Sequence, residues 1–426
     1  MQIIGLDFGT SNTVCGFVEN NDISIKESIP SAIFYQSRKA PKFGKEAVSA
    51  VQTVKGDGRL MRGFKSALGV IPLSQKTLLL PYDFVGEPLI SDYETIFLQY
   101  FDYMKDHFGL KEVSGVMGRP VNFQKDPSKN GMAQSSLERL YSKIGFSDVT
   151  FEYEPIAAAY SHEKNLSKET LAAVIDIGGG TTDIAIMKLS NKNMSKKDRT
   201  DDILATSGTR IGGNDIDTIL AQKYLSPILG NNVKYGPKNM TFGSAIYSKL
   251  TSIHTVQNIY QNTSEYPWKT KFPSLLQSAI NESQGDISFK RLKYTYDNMA
   301  AYSHLSNVEK GKIKLCLNDE PVQPVDFDFG DLGQSTALFE KDVLKKDSGD
   351  VSKLYTEVSK VIRESIENAN IDPKKIQLTI LTGGGANIPL FQQMAKEFFV
   401  NAEVTKDNPL ESVVTGLTLK AKNIYT

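Results

Sequence analysis

The sequence predicts an α/β protein of two lobes that face one another across a cleft. A repeated pattern carries that reading first. IIGLDFGTSNTV (Ile3 to Val14) and AAVIDIGGGTTDIAIM (Ala172 to Met187) each run apolar strand, Asp, apolar residue, glycine turn, hydroxyl residues, second apolar strand. Length points the same way, because 426 residues exceed what one hydrophobic core holds and suit two. Each copy is also embedded in a β-meander with helices, so the chain reads as an internal duplication of very long period.

The repeated turn has a chemical purpose. Glycine at a bend lets backbone N–H groups approach an anion closely. Gly9 with Thr10, Ser11 and Asn12, and Gly178, Gly179 and Gly180 with Thr181 and Thr182, would supply donors from two sides of a polyphosphate. Asp7 and Asp176 end their strands beside these turns, and Asp183 follows two residues after Thr181. Like charge forbids direct phosphate binding, so a hydrated divalent cation is expected between carboxylates and phosphates.

The remaining elements follow in order. Residues 1–30 read as a meander with a polar turn at Glu19-Asn20-Asn21-Asp22. Residues 31–91 read as an inserted subdomain with a helix around Ser49 to Met61. Asp92 opens a helix in which Tyr93, Ile96, Phe97, Tyr100, Phe101 and Met104 share a face. A strand (Val113 to Met117), the turn Gly118-Arg119-Pro120 and a helix from about Gly131 to Ile144 follow. The strand Asp148 to Tyr153 ends at Glu154-Pro155, where Pro in the first turn starts a new helix. After a polar link come the second hairpin, a charged loop and the strand Ile203 to Thr209. GTRIGGNDID (Gly208 to Asp217) then presents Gly212, Gly213 and Asn214 at a helix N-terminus. Residues 218–318 read as helical, 320–345 as short strands, and two helices are expected before the strand Gln377 to Leu381. A third glycine turn (Gly383 to Pro389) and a last amphipathic helix from about Pro409 to Asn423 complete the chain.

Composition removes several function classes. Lys+Arg and Asp+Glu both number 49, so no net field attracts nucleic acid or an anionic membrane. The two cysteines, Cys15 and Cys316, form no metal or redox spacing, and the four histidines fit no zinc pattern. No apolar run reaches the roughly 20 residues of a membrane span. The N-terminus begins on a strand, so no signal peptide is expected and a cytoplasmic protein is.

The motifs in sequence resemble those of the actin-like ATPase superfamily, and within it the seventy-kilodalton heat-shock chaperones (the DnaK family). GLDFGTSN, GRPVNF, EPIAAA, DIGGGTTD, LTGGGANIP and PLESVVTGL stand in that family's order. GRPVNF and the early stop look most like the short YegD-like branch. The resemblance implies an actin-like (ribonuclease H-like) fold with lobe I at 1–168, lobe II at 169–404 and residues 405–426 returning to lobe I. It implies that 213–320 is an inserted lid. It implies an ATPase that is slow, monomeric and dependent on ATP/ADP and Mg2+. Asp176, Glu154 and Lys65 would be catalytic, and Asp7, Asp176 and Asp183 would hold magnesium through water. Gly212, Gly213, Glu309, Lys312, Gly383, Gly384, Gly385 and Asn387 would line the adenosine site. Two departures matter: Ile313 stands where the family has a base-stacking arginine, and Leu410 replaces an Asp. No peptide-binding β-sandwich is expected before Thr426, so an unknown protein partner or co-chaperone is. A small-molecule kinase of the same fold and an actin-like filament protein are the competing functions.

Overall fold

The computed structural model describes residues 1–53, 58–80, 89–124, 126–194, 196, 198–259, 268–406 and 411–426. Two sheets of matching topology dominate it. In the first, Gln2–Phe8 pairs antiparallel with Asn12–Glu19, which pairs antiparallel with Asp22–Ile25. On its other side Gln2–Phe8 runs parallel to Val113–Arg119, and that strand parallel to Phe146–Tyr153. In the second, Thr170–Ile177, Thr182–Leu189 and Ile203–Thr209 form the same antiparallel meander, extended in parallel by Leu378–Thr382 and Glu403–Lys406. The α/β fold with duplicated meander cores is therefore the one observed.

Local signals explain the elements. Asn20 and Asn21 both adopt positive φ (50° and 64°), the left-handed pair that a two-residue hairpin turn favours. The helix Tyr93–Phe108 is capped by Asp92, which accepts from the Thr95 N–H at 2.7 Å. It stops at Gly109, whose φ of 67° few other residues tolerate. Asp126 caps Pro127–Lys143 in the same way. The central strand Thr170–Ile177 is an almost unbroken buried apolar run, because helices cover both faces of its sheet.

Helix Glu154–His162 and the last helix, Ser412–Tyr425, share one core with both sheets, through Ala157, Val116, Val174, Ile380 and Leu417. The two helices cross very closely at Gly416, where a Cβ would lie 1.7 Å from the Ala157 carbonyl oxygen. Behind the first sheet, Phe8, Phe97, Tyr100, Phe101 and Tyr141 form an aromatic core, with Phe101 and Tyr141 stacked at 5.0 Å.

Four sequence expectations are corrected. The helix placed at 49–61 runs Gly44–Thr53 instead, and Arg59–Arg62 is a strand paired with Ala32–Tyr35. Gly58, just before that strand, packs against the Phe34 ring, where a Cβ would come within 2.1 Å. The turn at 118–120 begins late, since Gly118 and Arg119 still pair with Glu152 and Tyr153. One α-helix, Ser352–Asn368, replaces the two expected after residue 345. Its flanks, Gly349–Val351 and Pro373–Lys375, are 3-10 turns capped by Ser348 and Asp372. The last helix begins at Ser412; Pro409 and Leu410 lie outside the described residues. Among the described residues no helix is long and apolar enough to cross a membrane.

Candidate functional site

Both glycine turns open onto one cleft between the two sheets. Each is closed by its own backbone: the Gly9 N–H donates to the Asn12 carbonyl at 2.8 Å, and the Gly178 N–H to the Thr181 carbonyl at 2.9 Å. They face one another so closely that a Cβ on Gly179 would sit 2.3 Å from Ser11 Oγ. The cleft is lined by Gly9, Thr10, Ser11, Asn12, Gly178, Gly179, Gly180 and Thr181, with Asp7, Asp176, Glu154 and Lys65. Gly213, Glu309, Lys312, Ile313, Gly383, Gly384 and Gly385 line it too. Gly383 needs its glycine: φ is +78°, and a Cβ would fall 2.5 Å from Asp176 Oδ1.

The carboxylates are crowded. Asp176 and Asp183 are directly opposite in the hairpin register. Burial, then the Glu154 charge, raises Asp7 to about 7 while Lys65 opposes. Burial and Glu154 also raise Asp183 to about 7, against hydrogen bonds that include the Val121 N–H at 2.9 Å. Asp176 is pushed up by burial and then by Glu154, Asp183 and Asp7. Asp7 Oδ1 and Asp183 Oδ2 are buried without a hydrogen-bond partner. Such an excess of unpartnered negative oxygen fits a cation held near it. Among the described residues, no three His, Cys, Asp or Glu side chains converge as direct metal ligands.

Lys65 is not a surface residue. It is 6% exposed, in a 3-10 turn (Phe64–Ala67), and donates to Glu154 Oε1 at 2.9 Å. Glu154 is itself placed by the strand end that precedes Pro155.

Several expected site residues are engaged elsewhere. Thr182 is fully buried, and its hydroxyl donates to the Ile211 carbonyl at 2.8 Å, bracing the next loop. The Gly212 N–H is taken by the Asp215 carboxylate at 2.8 Å, a helix-start bond. Asn387 is not among the cleft-lining residues. Glu309 and Lys312 line the cleft, yet both are already paired. Arg62 holds both Glu309 oxygens, one at 3.0 Å. Lys312 donates to Asp217 at 2.8 Å and to the Gly213 carbonyl at 3.0 Å. Two arginines escaped the sequence reading. Arg62 stands three residues before Lys65, and Arg210, which lines the cleft, two before Gly212. Their only sequence signal is proximity to a motif.

The Hsp70 protein family model matches residues 288–425, and the MreB/Mbl protein model matches 104–226. Chaperone protein HscA of Buchnera aphidicola subsp. Baizongia pistaciae is 24% identical over 98% of this chain and 70% of its own length. Chaperone protein DnaK of Ureaplasma parvum is 22% identical over 98% of this chain and 57% of its own. Human heat shock 70 kDa protein 13 is 22% identical over 82% of this chain and 66% of its own. The chain thus spans a little over half to 70% of the length of these relatives.

Proposed function

We propose, from the Hsp70 and MreB/Mbl matches and the geometry of the cleft, that this chain is an Hsp70-type relative among the actin-like ATPases that binds Mg-ATP and hydrolyses it slowly as a nucleotide switch of chaperone type. The observation that supports this most is the pair of facing glycine turns with Asp7, Asp176 and Asp183 behind them and the Lys65–Glu154 pair at one end. We assign the lobes to residues 1–168 and 169–404, with 405–426 returning to the first.

In this reading the backbone N–H groups of Gly9–Asn12 and Gly178–Thr181 hold the phosphates. Asp7, Asp176 and Asp183 hold hydrated magnesium, which when bound offsets phosphate charge. Glu154 orients the attacking water, and Lys65 keeps Glu154 in place and balances its charge. The nucleoside lies toward Gly383–Gly385 and Ile313. Because Glu309 and Lys312 are occupied by Arg62 and Asp217, base recognition rests on apolar contact and backbone, and ATP exceeds GTP only modestly. Closure on ATP and relaxation after hydrolysis would present altered surfaces to a protein partner.

Calorimetry with ATP, ADP and GTP tests the reading. Heat of binding with both adenine nucleotides is expected, and its absence at high protein concentration would remove the premise. The MreB/Mbl match over 104–226 is the one observation for an assembling, actin-like protein. ATP-dependent sedimentation of the chain would favour that alternative.

A further inference from the structure

We propose that Arg210 is a catalytic cation that binds the terminal phosphate of the nucleoside triphosphate, a role that rests on the ATPase reading above. Three independent features of its surroundings support this. The first is position. Arg210 lines the same cavity as Lys65, Glu154 and the two glycine turns. Its hydrogen bonds go to Gln124 Oε1 at 2.7 Å and to the Ser66 carbonyl at 3.3 Å. Ser66 adjoins Lys65 in sequence, so Arg210 bonds to the turn that carries Lys65.

The second is that its mount is prearranged. Gln124 is 6% exposed, and its amide nitrogen donates to the Leu68 carbonyl at 2.8 Å. Its backbone N–H donates to Asn130 Oδ1 at 2.8 Å. With the amide so anchored, only its carbonyl oxygen is left to face Arg210. Arg210 itself is exposed, so this holder fixes a side chain that a ligand entering the cleft can reach.

The third is charge. Arg62 is bound by a carboxylate through two nitrogens and Arg199 by two carboxylates through three. Among the described residues no carboxylate is paired with Arg210, and its two partners are neutral carbonyl oxygens. A guanidinium has five donors in a planar fork that matches a phosphate edge, and most of them remain for a ligand. Burial lowers its pKa, with the Asp215 charge opposing, as expected of a cation short of an anion.

The step it serves balances simply. The water oxygen bonds to the γ-phosphorus, the bond from that phosphorus to the β–γ bridging oxygen breaks with its electron pair leaving on ADP, and the water proton passes to solvent or phosphate. Arg210 stabilises the charge on the transferring group's outer oxygens throughout.

The test uses the full chain with Arg210→Ala and Arg210→Lys. Calorimetry compares ADP with the non-hydrolysable β,γ-imido analogue of ATP, and single-turnover hydrolysis is measured separately. Arg210→Ala should weaken the triphosphate analogue by about 10-fold or more, leave ADP within roughly 2-fold, and slow the single turnover by about 10²–10³-fold. The lysine variant should recover part of both losses. Equal weakening of ADP and the analogue would assign Arg210 to the nucleoside or to the fold, and an unchanged rate would remove it from the reaction; either overturns the proposal. Should wild type bind no nucleotide, the ATPase reading itself falls. Should wild type hydrolyse ATP and Arg210→Ala match it, only this inference falls.

Discussion

The Lys65–Glu154 pair decides what single substitutions do at this site. Both groups are buried, so removing Lys65 alone strands a carboxylate beside Asp7 and Asp176. Breaking such a pair typically costs about 3–5 kcal/mol. Lys65→Ala should therefore lower the urea midpoint and also slow phosphate release by about 10²–10⁴-fold. Adding Glu154→Gln should recover the midpoint without recovering turnover; wild-type turnover in Lys65→Ala would remove Lys65 from the reaction. Asp176→Asn behaves oppositely on stability. Its carboxylate is disfavoured by burial and by three neighbouring acids, so the neutral isostere should not destabilise the ligand-free protein near pH 7. It should slow hydrolysis by about 10²–10⁴-fold with modest loss of nucleotide affinity. At this scale the glycines and acids of the cleft were legible, because each carries its chemistry in its residue type. Thr182, Gly212 and Asn387 were not separable from their neighbours, because whether a hydroxyl or N–H is already satisfied depends on loops distant in sequence.

Single elements carry their own pH dependence. Helix Ala301–Leu317 buries His304 against the Phe327 and Phe329 rings, with Thr295 Oγ1 3.3 Å from its Nε2. Burial pushes its pKa down to about 4, with Asp328 opposing weakly. The unfolded imidazole, near 6.5, binds a proton that the folded one refuses between those values. The stability contribution is therefore complete above about pH 6.5 and is lost as pH falls toward 4, by up to about 3 kcal/mol. Asp7 and Asp183, raised from 3.8 to about 7, shift stability the other way across the whole of that range. The comparison must then be between wild type and His304→Gln. Urea denaturation at pH 7.5 and pH 5 should show a smaller acid loss in the variant; parallel losses would mean that His304 takes up its proton as readily in the fold as in the unfolded chain. Elements with caps, such as the helix after Asp92, were readable from sequence. The strand Arg59–Arg62 was not, because its pairing with Ala32–Tyr35 and the Gly58–Phe34 contact beside it belong to tertiary packing.

One ion pair between residues far apart in sequence joins the small three-stranded sheet of the first half to a helix of the second. Arg62, on strand Arg59–Arg62, grips Glu309 on helix Ala301–Leu317, and Lys312 one turn further on pairs with Asp217 of helix Gly213–Leu220 within the second half. Two cations and two anions thus form a nearly neutral cluster, with Arg62 and Glu309 15% and 23% exposed. The duplicated meanders were legible at this scale because a period within the sequence reveals them. This clasp was not, because no local pattern links residue 62 to residue 309. It changes what Glu309 is expected to do. The family resemblance gives it to the nucleoside, whereas here both of its oxygens accept from Arg62, so its effect on nucleotide should run through closure of the cleft. Arg62→Ala should then speed dissociation of ADP by about 10-fold, the equivalent of about 1.4 kcal/mol for one partly buried bidentate pair. Glu309→Gln should speed it to a similar degree, and the double variant should be little worse than either single one, because both remove the same interaction. Stopped-flow displacement of a fluorescent ADP analogue measures all three. A loss of affinity in Glu309→Gln that Arg62→Ala does not share would return Glu309 to direct contact with the nucleoside and leave the clasp without a role in release.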